Sequence, residues 1–76
     1  MAAKAFILIE TVTGRTKQVA SKLQQLKGVK SVDCVTGPYD VIAVVEGENL
    51  NDIGMLVTDK IQPVSGISRT VTCLAI

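Results

Sequence analysis

Two five-residue runs, Ala5-Phe6-Ile7-Leu8-Ile9 and Val41-Ile42-Ala43-Val44-Val45, contain no polar side chain, and they constrain the fold more than any other feature of these 76 residues. Each has the length and the β-branched or aromatic character of a strand. A strand with one face in water alternates polar and apolar side chains, and neither run does, so both faces of each are expected to be covered. A membrane does not supply that cover, because a spanning helix needs roughly twenty consecutive apolar residues. The N-terminal Met1-Ala2-Ala3-Lys4 leads straight into the first run and lacks the longer apolar core of a secretory signal, so the chain is read as cytoplasmic.

Between and after these runs the apolar spacing changes to that of helices. Val19, Ala20, Leu23 and Leu26 fall on one face of a segment from about Arg15 to Lys27, with Lys17, Gln18, Lys22 and Gln25 on the other. Thr13 is the expected N-cap, and Gly28 stands where a left-handed residue ends a helix. Leu50, Ile53, Leu56, Val57 and Ile61 mark a second helix, capped by Asn49 or Asn51, weakened by Gly54 and closed before Pro63. Ser31 to Val35 alternates, with Val32 and Cys34 on one face and Ser31 and Asp33 on the other, as an edge strand does. Thr36-Gly37-Pro38-Tyr39-Asp40 is a turn that joins it to the second apolar run as a hairpin, and Ile67 to Ile76 supplies a last strand.

The order is therefore βαββαβ, and Gly28 to Cys34 resembles Gly66 to Cys73 with one residue inserted, as in a doubled βαβ unit. Two interleaved split βαβ units give an α+β, ferredoxin-like fold: a four-stranded antiparallel sheet, both helices on one face, the apolar runs central. The helices cover only one face of the sheet. A second copy related by two-fold symmetry is the economical cover for the other, so the chain is expected to dimerise sheet to sheet. The composition agrees: 47% of residues are hydrophobic and the mean hydropathy is +0.39, while a domain this short buries only somewhat over half of its unfolded surface.

Several chemistries are disfavoured. No histidine is present, which removes the commonest general base and metal ligand, and no CxxC motif offers a soft-metal site. Cys34 and Cys73 are read as reduced, buried, small hydrophobes. Eight basic against seven acidic residues leave a net charge of +1 and no footprint for direct nucleic-acid binding. Phe6 and Tyr39 are too few aromatics for a base-stacking sheet. Acylphosphatase shares this topology and works with an arginine and an asparagine, but Arg15 with Asn49 or Asn51 lacks the phosphate-cradling loop. No enzymatic activity, cofactor or metal is expected.

The stretch Gly37-Pro38-Tyr39-Asp40 ahead of the third strand, followed by Gly66-Ile67-Ser68-Arg69-Thr70-Val71-Thr72 entering the last, resembles the effector-binding (RAM) domain of the Lrp/AsnC regulators of amino acid metabolism. The resemblance covers essentially the whole chain. It implies dimers packed sheet against sheet as a dimeric α-β barrel, often assembled into rings, with amino acids bound in clefts between dimers. No helix-turn-helix precedes the first strand, so residues 1–76 are expected to form a stand-alone domain. It is expected to act as a homo-oligomeric sensor that modulates transcription by co-assembly with full-length Lrp/AsnC regulators. An ACT-type regulatory domain and a purely structural oligomerisation module are the alternatives.

Five residues are candidates for the ligand. Gly37 would let a ligand approach the backbone, Asp40 would attract an α-ammonium group, and Tyr39 stands between them in the same turn. Thr70 and Thr72 lie on one face of the last strand, where their hydroxyls would hold polar groups, while Val71, Cys73 and Ala75 point the other way and are read as core. The competing reading makes Tyr39 and Asp40 turn residues and the two threonines plain β-formers.

Overall fold

A computed structural model describes residues 2–76. Its elements are β1 (Ala3–Thr11), α1 (Thr16–Gln24), β2 (Val29–Cys34), β3 (Val41–Gly47), α2 (Leu50–Leu56), a π-helical turn (Val57–Ile61) and β4 (Ile67–Leu74). The sheet order is β2-β3-β1-β4, antiparallel throughout, so the two apolar runs are central and the ferredoxin-like βαββαβ topology stands.

Period-two alternation decides which side chains the helices cover. Ala5, Ile7 and Ile9 of β1 and Val41, Ala43 and Val45 of β3 are fully buried under α1 and α2, against Val19, Leu23, Ile53, Val57 and Ile61. Burying each of the larger side chains is worth about 1.5–3 kcal/mol. The intervening Phe6, Leu8, Ile42 and Val44 point to the opposite face, which no element of the chain covers; Phe6 is 38% exposed there. Within one chain, then, only one face of each central strand is fully buried.

The doubled unit is visible in the backbone. Gly28 and Gly66 both have positive φ, 95° and 101°, and each carbonyl accepts an N–H from the strand end beside it, Glu46 at 3.0 Å and Val12 at 2.7 Å. Each also sits against the other unit's helix: a Cβ on Gly28 would meet Leu56 Cδ2 at 3.2 Å, and one on Gly66 would meet Arg15 Cβ and Val19 Cγ2 at 3.0 Å. A residue with a side chain would be strained at either position and would push the helix away.

Ile53, Val57 and Ile61 recur every four residues, a spacing that drifts by about 40° per step around an ideal α-helix. The chain corrects the drift by widening. Gln62 N–H donates to Val57 O at 2.8 Å, a five-residue step, and Ile61 stays fully buried. Asn49 caps α2 as expected, its Oδ1 accepting Asp52 N–H at 2.9 Å, and Asp52 Oδ2 accepts Glu48 N–H in return at 3.2 Å.

Four expectations are corrected. The first helix is capped at Arg15 without a side-chain bond, and Thr13 lies outside it in the turn. Leu50 is 59% exposed, because it begins α2 beyond the edge of the core. Cys34 and Cys73 are free but exposed. Cys34 closes an edge strand past the reach of the helices, and Cys73 stands opposite Phe6 on the uncovered face. Val71 and Cys73 do point away from Thr70 and Thr72, but onto that uncovered face and not into a core, and Ala75 is exposed past the strand's end.

Candidate functional site

The hairpin turn between β2 and β3, the end of β1 and the start of β4 lie at one end of the sheet, and Asp40 ties the turn to β1 and to the end of β2. Its backbone N–H donates to Ile9 O at 2.9 Å and its carbonyl accepts Val35 N–H at 2.9 Å. Its Oδ2 accepts Thr11 N–H at 2.8 Å and the Thr11 hydroxyl at 3.2 Å. Thr11 Oγ1 also lies 2.7 Å from Thr16 Oγ1, so the network reaches the first turn of α1. The carboxylate thus holds the end of β1 and, through Thr11, the first turn of α1, which is more than the local turn contact that its place in the sequence suggested.

Tyr39 stands on the uncovered side of the sheet. Its hydroxyl accepts from Arg69 Nη2 at 3.2 Å, and the guanidinium lies 5.9 Å from the ring centroid. Arg69 Nη1 also approaches Glu10 Oε2 at 3.6 Å, directly across the β1–β4 ladder. These contacts are exposed and contribute little to stability; they orient the ring. Gly37 is at the turn's tip, with nothing within 4 Å of where a side chain would begin, so its backbone is open to approach.

Thr70 and Thr72 occupy the other face of β4, on the helix side. Thr70 Oγ1 accepts from Gln62 Nε2 at 3.4 Å, a contact that the π-helical turn makes possible. Thr72 lines an apolar groove of about 370 Å³ between β4 and α2, with Leu50, Ile53, Val57 and Leu74 as walls and Thr58 as a second hydroxyl. The candidates therefore fall into two separate groups: the turn with Tyr39 and Asp40, of which the Tyr39 ring faces the uncovered side with Arg69, and the threonine-lined groove on the helix side of β4. The structure brings Gly37, Tyr39 and Asp40 together at the turn, and Thr70 with Thr72 along the strand, but does not close all five around one space.

The residues that sequence reading missed are the partners: Thr11 and Thr16 for Asp40, Glu10 and Arg69 for Tyr39, Gln62 for Thr70. Each lies eight or more residues from the group it serves, apart from the Thr11–Thr16 pair, and only strand register brings them near. Among the described residues no three His, Cys, Asp or Glu side chains gather as a metal site, and no helix is long and apolar enough to cross a membrane.

Residues 4–76 match the Lrp/AsnC ligand binding domain family. A helix-turn-helix-type transcriptional regulator of Pyrococcus horikoshii is 35% identical over 74 residues, which cover 93% of this chain and 49% of that protein. The chain spans about half the length of the curated regulators it matches first. Two solved structures are similar over nearly their full lengths. TTHA0845 from Thermus thermophilus is 34% identical with a TM-score of 0.93, covering 97% of this chain and 92% of that one. FFRP-DM1 is 38% identical with a TM-score of 0.92, covering 97% and 99%. At 17% identity the fold is also that of a Neisseria meningitidis regulator solved as an L-Met complex, with a TM-score of 0.87 over 97% of this chain and 49% of that one. A 61-residue segment is 33% identical to part of a Sulfurisphaera tokodaii homocitrate synthase, 13% of that enzyme. On the family match and these identities, the chain belongs to the Lrp/AsnC ligand-binding domain family.

Proposed function

We propose that the chain is a cytoplasmic, non-enzymatic, self-associating sensor domain that binds an amino acid or related small metabolite and modulates transcription by co-assembly with Lrp/AsnC-type regulators. The observation that carries this reading is the uncovered sheet face. Phe6, Leu8, Ile42, Val44, Val71 and Cys73 are neighbours in the strand register and form one apolar patch across three strands. Charges rim it at both ends: Lys30 with Glu46 at 4.0 Å, Arg69 with Glu10 at 3.6 Å, and Lys4 Nζ 5.3 Å from the Phe6 ring centroid. An apolar centre within a charged rim is the anatomy of a protein interface, and a two-fold copy would set patch on patch.

The effector half of the reading is supported by the family's own description as a ligand-binding domain and by the L-Met complex of the distant regulator with this fold. The separation of the two groups adds a geometric reason. A ligand held at once by the Asp40 corner and by a Thr70–Thr72 strand needs the second half from a neighbouring copy, so binding and assembly are one process. The short match to an enzyme suits a module that serves larger proteins. Sedimentation of the chain, together with a thermal-shift screen of the twenty amino acids, tests both halves. A monomer at micromolar concentration that no amino acid or related metabolite stabilises would end this reading.

A further inference from the structure

The outward side of α1 and the segment that leads from the π-helical turn into β4 border an open cleft of about 820 Å³, more than twice the volume of the groove at Thr72. Its wall carries Arg15, Lys17, Lys22 and Lys60: four of the chain's eight basic side chains and none of its seven carboxylates. The ion pairs among the described residues use Lys30 and Arg69, so none of these four is paired. Ser21 and Ser65 add hydroxyl donors. The net charge of +1 conceals this, because the compensating acids lie elsewhere. Glu46, Glu48 and Asp52 line a different cleft, beside Gly28, together with Lys27 and Lys30.

Four basic side chains bordering one open cleft, with no carboxylate among them, favour an anion there. A single carboxylate would leave most of the charge uncompensated, whereas a chain of two or three phosphates matches it and offers oxygens to several donors at once. We propose that this cleft binds the di- or triphosphate group of a small metabolite, as an input separate from the effector. Lys60 belongs to the π-helical turn, and Gln62, which caps that turn, contacts Thr70, so the two inputs meet at one short segment.

Titration calorimetry of the full chain in about 0.15 M salt, where the Debye length is about 8 Å, tests this with sodium tripolyphosphate, ATP and adenosine. Tripolyphosphate and ATP are expected to bind, and adenosine is not. Lys22→Gln and Lys60→Gln, on different elements, should each weaken tripolyphosphate about threefold to tenfold, the loss of one charge-assisted contact at a partly exposed site. Lys30→Gln, on the far cleft, should leave the affinity unchanged. The proposal is overturned if neither phosphate compound binds at millimolar concentration, or if adenosine binds as tightly as ATP. It is equally overturned if Lys30→Gln weakens binding as much as the cleft variants, or if duplex DNA displaces tripolyphosphate.

Discussion

The carboxylate of Asp40 accepts the backbone N–H of Thr11 at 2.8 Å, across 29 residues of chain. The bond joins the turn before β3 to the end of β1, one step beyond the last β1–β3 pair, Ile9 opposite Val41, where β3 offers that amide no ladder partner. The residue proposed to meet the ligand is therefore a brace, and bracing separates from the proposed ligand contact by substitution. Asp40→Ala leaves a half-buried N–H unpaired and should cost about 1–3 kcal/mol. Asp40→Asn keeps an acceptor and should melt close to wild type, yet lose its response to any ligand held through an α-ammonium group. An unchanged response in Asp40→Asn would assign the residue to bracing alone.

The central strand β3 separates folding from assembly within two neighbouring positions. Ala43 is fully buried under the helices, so Ala43→Asp places an unpaired charge in the core and should cost more than about 4 kcal/mol, a large part of a small domain's stability. Val44 faces the uncovered side, and Val44→Asp should leave circular dichroism native while sedimentation shows monomer. Native assembly in Val44→Asp would show that the patch is not the interface.

Gly66 should tolerate no side chain. At φ 101° an alanine costs about 1–3 kcal/mol in backbone strain, and its Cβ would stand 3.0 Å from Val19 Cγ2, a fully buried atom group that cannot retreat. Since 1 kcal/mol shifts the midpoint of a domain this size by about 4–8 °C, Gly66→Ala should lower Tm by at least about 4 °C. A wild-type Tm would mean that α1 shifts to make room at no cost.

For the effector, an amino acid present at a hundredfold excess over its Kd should stabilise the assembled state by about 2.7 kcal/mol, readily visible as a rise in Tm. Thr70→Val and Thr72→Val keep the β-branched shape and remove the hydroxyls, so they should abolish that rise with sedimentation unchanged. Loss of assembly in either variant would make the threonines structural.

The fold was legible because its determinants are local. Unbroken apolar runs of strand length, apolar residues at helical spacing, Gly28 and Gly66 after their helices, and Asn49 before α2 each declare themselves within a few neighbours. The candidate site was legible only in part. Gly37, Tyr39 and Asp40 were found as a turn, and Thr70 with Thr72 as a strand face, but Arg69, read merely as an intervening residue, proved to be the partner of both Tyr39 and Glu10. Cys34 and Cys73 were misread because apolar neighbours in sequence indicate strand, not cover. Whether a strand residue is buried depends on which face the helices take and where the strand ends.

The sequence by itself determined the order of elements, the central place of the two apolar runs and the apolar character of both their faces, because periodicity and hydropathy act between near neighbours. Tertiary structure alone decided that Asp40 braces Thr11 and that the two threonines and Tyr39 lie on opposite faces of the sheet. It also gathered Arg15, Lys17, Lys22 and Lys60 around one acid-free cleft. Those are relations between residues far apart in the chain, set by strand register and helix placement, and a net charge or a local pattern averages over the positions that they depend on.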